Sequence, residues 1–156
     1  MNDVGPIVVF GDSLAVGVGQ ALAVHHRVIE QGIVGWGLFR KDVPPRLDAL
    51  RMASADGSVV LISVGTNDTP GRDYADRLRR LRAAVAGNAR VVWLLPPTSC
   101  RGHLAAERAV PMIIALADET GDLVIDASTC DPNLRATDGV HYTPRGYRAI
   151  AEEVVR

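Results

Sequence analysis

Short apolar runs alternate along the chain with longer stretches whose apolar residues recur at helical spacing. Residues 7–10, 58–64, 90–95 and 123–126 are compact apolar runs, and 28–30 is a shorter one; together they predict five strands. The intervening stretches predict five helices. The first, 14–24, is small and apolar, as a buried helix would be. The second starts at Asp42, with Pro44 in its first turn, and carries Leu47, Leu50 and Met52. The third, 73–86, places Leu78, Leu81 and Val85 on one face and stops at Gly87. The fourth, 104–120, contains Pro111, which must either kink the helix or sit near its start. In the last, Thr143 is the cap and Pro144 the first position, with the helix running to Val155.

Five β-α units whose strands are apolar on both faces predict an α/β fold, a three-layer α/β/α sandwich around a five-stranded parallel sheet. Residues 1–156 fit a single domain, with no internal repeat and no linker. In sheets of this kind the working site lies outside the carboxyl ends of the strands. The loops at those ends are therefore where chemistry is expected.

Gly11-Asp12-Ser13 follows the first strand and Gly32-Ile33-Val34-Gly35-Trp36-Gly37 the second. Gly65-Thr66-Asn67-Asp68 follows the third, and Pro96-Pro97-Thr98-Ser99-Cys100 the fourth. A long loop after the fifth ends in Asp138-Gly139-Val140-His141. Acyl transfer from an ester needs a hydroxyl nucleophile, a base to take its proton and a group to orient the base. Ser13, His141 and Asp138 supply those types. The i, i+3 spacing lets Asp138 accept the Nδ1–H of His141 and leaves Nε2 for Ser13. The backbone N–H of Ser13 lies at a helix N-terminus, Gly35 can offer an unobstructed N–H, and Asn67 can offer a side-chain amide. These three are the expected oxyanion hole. Trp36, beside Gly35, is expected on the substrate surface, and His103, in the loop after strand four, is a second candidate contact.

The plainer alternatives are weaker. Ser13 as a simple helix cap leaves Asn67 and His141 as coincidences. A phosphate cradle lacks the P-loop lysine, and Gly17-x-Gly19 is not completed as a dinucleotide fingerprint. Arginines 77, 79, 80 and 82 read as a solvated helix face. With a formal net charge of −1 there is no electrostatic case for a nucleic-acid partner. Charged residues are 22% and apolar ones 47%, ordinary for a globular protein. No apolar run approaches the roughly 20 residues of a membrane span, and no signal peptide is visible. The expectation is a cytoplasmic protein or the mature form of an exported one, with no membrane partner. Cys100 and Cys130 read most plainly as two unrelated thiols. Their places after neighbouring strands also allow a disulfide.

Four blocks, FGDSLAVG, QGIVGWG, VGTND and DGVHYTPRGY, occur in this order over essentially the whole chain. With them the sequence resembles the SGNH, or GDSL, hydrolases, which are serine esterases and lipases. The resemblance implies a flavodoxin-like strand order 2-1-3-4-5. It implies Ser13 as nucleophile, His141 as base and Asp138 as its partner, with Ser13 N–H, Gly35 N–H and Asn67 as oxyanion donors. It implies neither a cofactor nor a metal. The expected substrate is a small-molecule or glycan ester. No insertion is long enough to make a lid or a deep acyl tunnel, which favours a short acyl group such as acetate over the long chains of a thioesterase or lysophospholipase. A non-catalytic flavodoxin-like binding module is the remote alternative.

Overall fold

The alternation of apolar residues along each strand decides which face of the sheet it serves. In the first strand, β1 (Ile7–Gly11), Val8 and Phe10 point to one side and Ile7 and Val9 to the other; all four are buried. The computed structural model describes residues 5–54, 58–98, 100 and 105–156. Its other strands are β2 (Val28–Gly32), β3 (Val59–Ser63), β4 (Arg90–Leu94) and β5 (Leu123–Ile125). They form one all-parallel sheet in the order β2-β1-β3-β4-β5. The helices are α1 (Ser13–Leu22), α2 (Val43–Ala53), α3 (Tyr74–Ala83), α4 (Val110–Thr120) and α5 (Pro144–Val155). Helices α2, α3 and α4 cover the Val8/Phe10 face through Leu50, Leu78, Leu81 and Ile113. Helices α1 and α5 cover the opposite face through Leu14, Val18, Ile150 and Val154. This is the expected three-layer sandwich in the expected order.

The local departures have physical causes. Strand β2 runs two residues beyond its apolar stretch because Gln31 and Gly32 pair with Phe10 and Gly11. Pro111 starts α4 rather than kinking a longer helix, and a 3-10 turn, Ala105–Ala109, precedes it. Leu104 lies outside the described residues. Being an edge strand, β5 leaves Leu123 and Val124 exposed although both are apolar. Thr143 caps α5 through its hydroxyl, which accepts from Gly146 N at 3.2 Å. Asp42 does not cap α2 with its side chain; its carboxylate instead accepts from Trp36 Nε1 at 3.1 Å. The arginine face of α3 is only partly solvated. Arg82 makes a two-pronged pair with Asp122, at 2.7 and 3.0 Å, and Arg77 donates to Leu38 O at 2.8 Å. Among the described residues no helix is long and apolar enough to cross a membrane.

Cys100 and Cys130 form a disulfide with a Cα–Cα distance of 5.8 Å, so the unpaired-thiol expectation does not hold. The parallel order brings the loops after β4 and β5 side by side, and the bridge joins them. It closes a loop across a sequence separation of 30 residues. Loop-closure entropy for such a length is worth about 3–4 kcal/mol. Urea unfolding should therefore give a stability lower by about that amount for the Cys100→Ser/Cys130→Ser double variant. An unchanged midpoint and slope would show that the bridge does not constrain the unfolded chain.

Candidate active site

The carboxyl ends of β1, β2 and β3 converge on one edge, and β1 and β3 meet there unusually closely. Gly11 has φ +136°, and a Cβ on it would lie 1.8 Å from Ser63 O. Only glycine permits both. The chain turns here directly into α1. Asp12 N donates to Ser63 O at 3.0 Å, and Ser63 Oγ donates to Asp12 Oδ1 at 3.1 Å. Asp12, not Ser13, is the N-cap, since its Oδ1 also accepts from Leu14 N at 3.0 Å. Ser13 is thus the first helical residue, where the backbone N–H has no intrahelical acceptor. Its hydroxyl remains half-buried at the sheet edge.

His141 arrives from the opposite end of the chain. Residues 134–143 fold back on themselves. Ala136 N donates to His141 O at 2.9 Å, and Thr143 N donates to Leu134 O at 2.8 Å. At the tip of this hairpin Asp138 Oδ1 accepts from Val140 N and His141 N, each at 2.9 Å. Asp138 Oδ2 lies 2.6 Å from His141 Nδ1, and His141 Nε2 lies 2.9 Å from Ser13 Oγ. An ionised carboxylate can only accept, so Nδ1 carries the proton of the neutral ring and Nε2 is left to accept from the serine hydroxyl. The bond from His141 and those from the two backbone amides hold the Asp138 carboxyl down at about 2. The three residues form a continuous hydrogen-bonded chain able to withdraw a proton from Ser13.

The glycine loop after β2 starts at the same sheet edge, where Gly32 pairs with Gly11. Ile33 N donates to Gly11 O at 2.9 Å, which ties this loop to the β1 turn. Gly35 has φ +74°, and a Cβ on it would meet nothing within 4 Å, so conformation rather than space requires glycine there. Asn67 Nδ2 donates one N–H to Trp36 O at 3.0 Å, which leaves the second N–H of that amide for another acceptor.

Trp36 departs from expectation. Its indole is only 1% exposed, packs edge-to-face on Phe10 at 5.2 Å, and lies under the Arg46 guanidinium, 4.3 Å from the ring. The residue next to Gly35 anchors the loop from below and does not face a substrate. Ile33 and Val34 are the exposed apolar residues of this loop instead. His103 lies outside the described residues.

Asp12 orders the loop by accepting a backbone N–H, as its place in the first block allows, and Asp68 carries a role that the sequence does not assign. Asp68 is buried and accepts from Leu38 N at 2.8 Å and Tyr74 Oη at 2.9 Å, bracing the Asn67 turn against the glycine loop. Burial pushes its carboxyl above the usual range. The only local signal was its place beside Asn67; its partner Leu38 is 30 positions away. Asp12 is fully buried, and Oδ2 has no partner. Burial pushes the Asp12 carboxyl up to about 6, against the Leu14 N–H and the Thr66 and Ser63 hydroxyls, which favour the anion.

Comparison with known proteins bears on this arrangement. The model of the GDSL-like lipase/acylhydrolase family matches residues 9–149. No curated protein sequence matches the chain. Among solved structures, a protein assigned to the lipolytic G-D-S-L family from Desulfitobacterium hafniense is similar at 19% identity and TM-score 0.75, covering 94% of this chain and 95% of its own. The catalytic domain of peptidoglycan O-acetyltransferase A from Streptococcus pneumoniae is similar at 17% identity and TM-score 0.66, with 97% and 90% covered. A carbohydrate esterase family 3 protein from Talaromyces cellulolyticus is similar at 17% and 0.63, with 96% and 93% covered. At these identities the likeness is one of fold.

The weakened acidity of the buried Asp12 carboxyl makes stability depend on pH. The native carboxyl holds its proton more tightly than the unfolded one, ordinarily near 3.8. Its stabilising contribution is complete below that pH and fades as pH rises through about 6. Asp12→Asn keeps an acceptor for Leu14 N and removes the titration. Urea unfolding from pH 4 to pH 7 should show the wild type losing stability relative to this variant, by about 3 kcal/mol at most. Parallel pH profiles for the two proteins would contradict the assignment.

Proposed function

The chain belongs to the GDSL-like lipase/acylhydrolase family, and from that premise we propose that it is a serine esterase acting through an acyl-enzyme on Ser13. The observation that carries the reading is the chain Ser13 Oγ–His141 Nε2–Asp138, with links of 2.9 and 2.6 Å, built from residues 128 positions apart. His141 Nε2 takes the hydroxyl proton as Oγ bonds to the ester carbonyl carbon. The resulting oxyanion is received by the N–H groups of Ser13, Gly35 and Asn67. The tetrahedral species collapses, the carbon–oxygen bond to the alcohol breaks, and His141 returns its proton to the departing alkoxide. A water molecule then gives a proton to Nε2 and attacks the acyl carbon. Ser13 leaves, recovers the proton, and the free acid departs. Asp138 stays ionised throughout and stabilises the imidazolium.

The substrate proposed is a short-chain ester, an O-acetyl group on a carbohydrate or other small alcohol. Its support is the openness of the site. The side chains of Asp138 and His141 are 51% and 42% exposed, so among the described residues the pair that serves Ser13 is open to solvent. The carbohydrate esterase and the peptidoglycan O-acetyltransferase of similar fold are consistent with it. One observation favours a longer acyl chain. Ile33 and Val34, 48% and 74% exposed, put an apolar lip beside Gly35.

Ser13→Ala should lower kcat on p-nitrophenyl acetate by at least roughly 10³-fold while the protein stays folded. Unchanged turnover by the folded variant would end the reading. The p-nitrophenyl esters from acetate to dodecanoate separate the two substrate classes. The short-chain reading requires kcat/KM to fall with acyl length, and the apolar lip requires it to rise.

A further inference from the structure

Arg135 lies just before the Asp138–His141 turn and is the most deeply buried cation among the described residues, 5% exposed. Among those residues it forms no ion pair. Its Nη1 donates to two backbone carbonyls, Gly139 O at 2.7 Å and Thr98 O at 3.1 Å, and its guanidinium lies 5.3 Å from the centre of the Tyr142 ring. Nε and Nη2 are buried without partners. Burying a cation without a counter-charge costs stability, so stability alone does not account for arginine here. What Arg135 supplies is geometry. One planar, rigid donor group reaches both the loop after β4 and the tip of the hairpin that carries His141.

The position of Arg135 in the hairpin makes this specific. Its backbone bridges Tyr142, the neighbour of His141, and its N donates to Asp131 O at 2.9 Å. Its side chain then turns back to Gly139, between Asp138 and His141 in the turn. The guanidinium therefore ties the tip of the hairpin that carries the imidazole to Thr98 in the loop after β4. The bond it holds at Gly139 is next to the carboxylate that orients the ring.

We propose that Arg135 is a positioning residue, which aligns the Asp138–His141 pair by locking the Gly139 carbonyl to the loop after β4. The proposal rests on the esterase reading for its kinetic consequence but not for its structural one. The Cys100–Cys130 disulfide joins the same two loops covalently. When Arg135 is replaced the loops stay together, and the substitution tests alignment rather than assembly.

The test compares wild type, Arg135→Met, Arg135→Lys and Ser13→Ala. With p-nitrophenyl acetate, Arg135→Met should lower kcat by about 10- to 100-fold with KM little changed, the size expected for a displaced catalytic group. Arg135→Lys, which retains a donor but not the planar fork, should recover part of the loss. Proton NMR of protein labelled with ¹⁵N-histidine gives a readout independent of turnover. The downfield Nδ1–H resonance of His141 should persist in wild type and Ser13→Ala and broaden or vanish in Arg135→Met. Wild-type kcat together with an intact resonance in Arg135→Met would overturn the proposal. So would a fall in kcat matched by an equal fall in the folded fraction. If Arg135→Met does not fold, Arg135→Lys decides by the same two measurements. If the wild type hydrolyses no ester, the esterase reading fails, and the resonance alone decides the role of Arg135.

Discussion

The close approach of Gly11 to Ser63 is the constraint on which the rest of the sheet edge depends. A side chain at position 11 would occupy the space of the Ser63 carbonyl. With glycine there, β1 and β3 stay in register to their last residues, and the chain leaves β1 directly into a helix. The Ser63 carbonyl and hydroxyl then both reach Asp12, one as acceptor of its N–H and one as donor to its carboxylate. Asp12, held on two sides, caps α1 and puts Ser13 in the first turn. The glycine loop follows from the same point, because Gly11 O receives Ile33 N. Two of the three segments around Ser13 are thus referred to one close contact between strands. The third, the His141 hairpin, is referenced to the loop after β4.

Asp12, next to Ser13 in sequence, and Asp138, bonded to His141, have opposite electrostatic surroundings. Asp138 stands in solvent and receives three hydrogen bonds, so its charge is stabilised and it remains an acceptor across the working pH range. Asp12 is buried with one oxygen unpartnered, so its charge is opposed. The difference matches what each position requires. A partner for an imidazole must remain anionic as the ring gains charge. A helix cap needs only an oxygen lone pair, which the neutral carboxyl also offers. Asp12 therefore gives α1 a neutral as well as a charged cap.

Much of this was legible in the sequence, and what was not has a common cause. Strands β1, β3 and β4 are runs of apolar residues buried on both faces, so their existence and parallel pairing could be read locally. The Asp138-x-x-His141 spacing is likewise local, because a single turn brings the two side chains together. For Trp36, Arg77, Arg82 and the side chain of Asp42, which does stand at the N-cap of α2, the partner decides what residue type alone does not. Trp36 looked like a loop aromatic, but Phe10 and Arg46 enclose it. Arg82 looked like a solvated charge, but Asp122, 40 positions on, takes it in a two-pronged pair. Asp42 had the right residue type for a cap, yet its carboxylate is claimed by an indole six positions earlier. The disulfide was open for the same reason: spacing along the chain does not give distance across a sheet.

The way the edge is braced bears on what the proposed enzyme can distinguish. Asn67 is bonded to Trp36 O, Asp68 to Leu38 N, and Trp36 is fixed by packing beneath the loop. Donors held in this way need no reorganisation as charge develops on a carbonyl oxygen, which is the condition for electrostatic stabilisation of an oxyanion. Yet among the described residues His141 and Asp138 remain in contact with solvent. Binding energy for the acyl group must then come from little more than the carbonyl itself and the Ile33–Val34 lip.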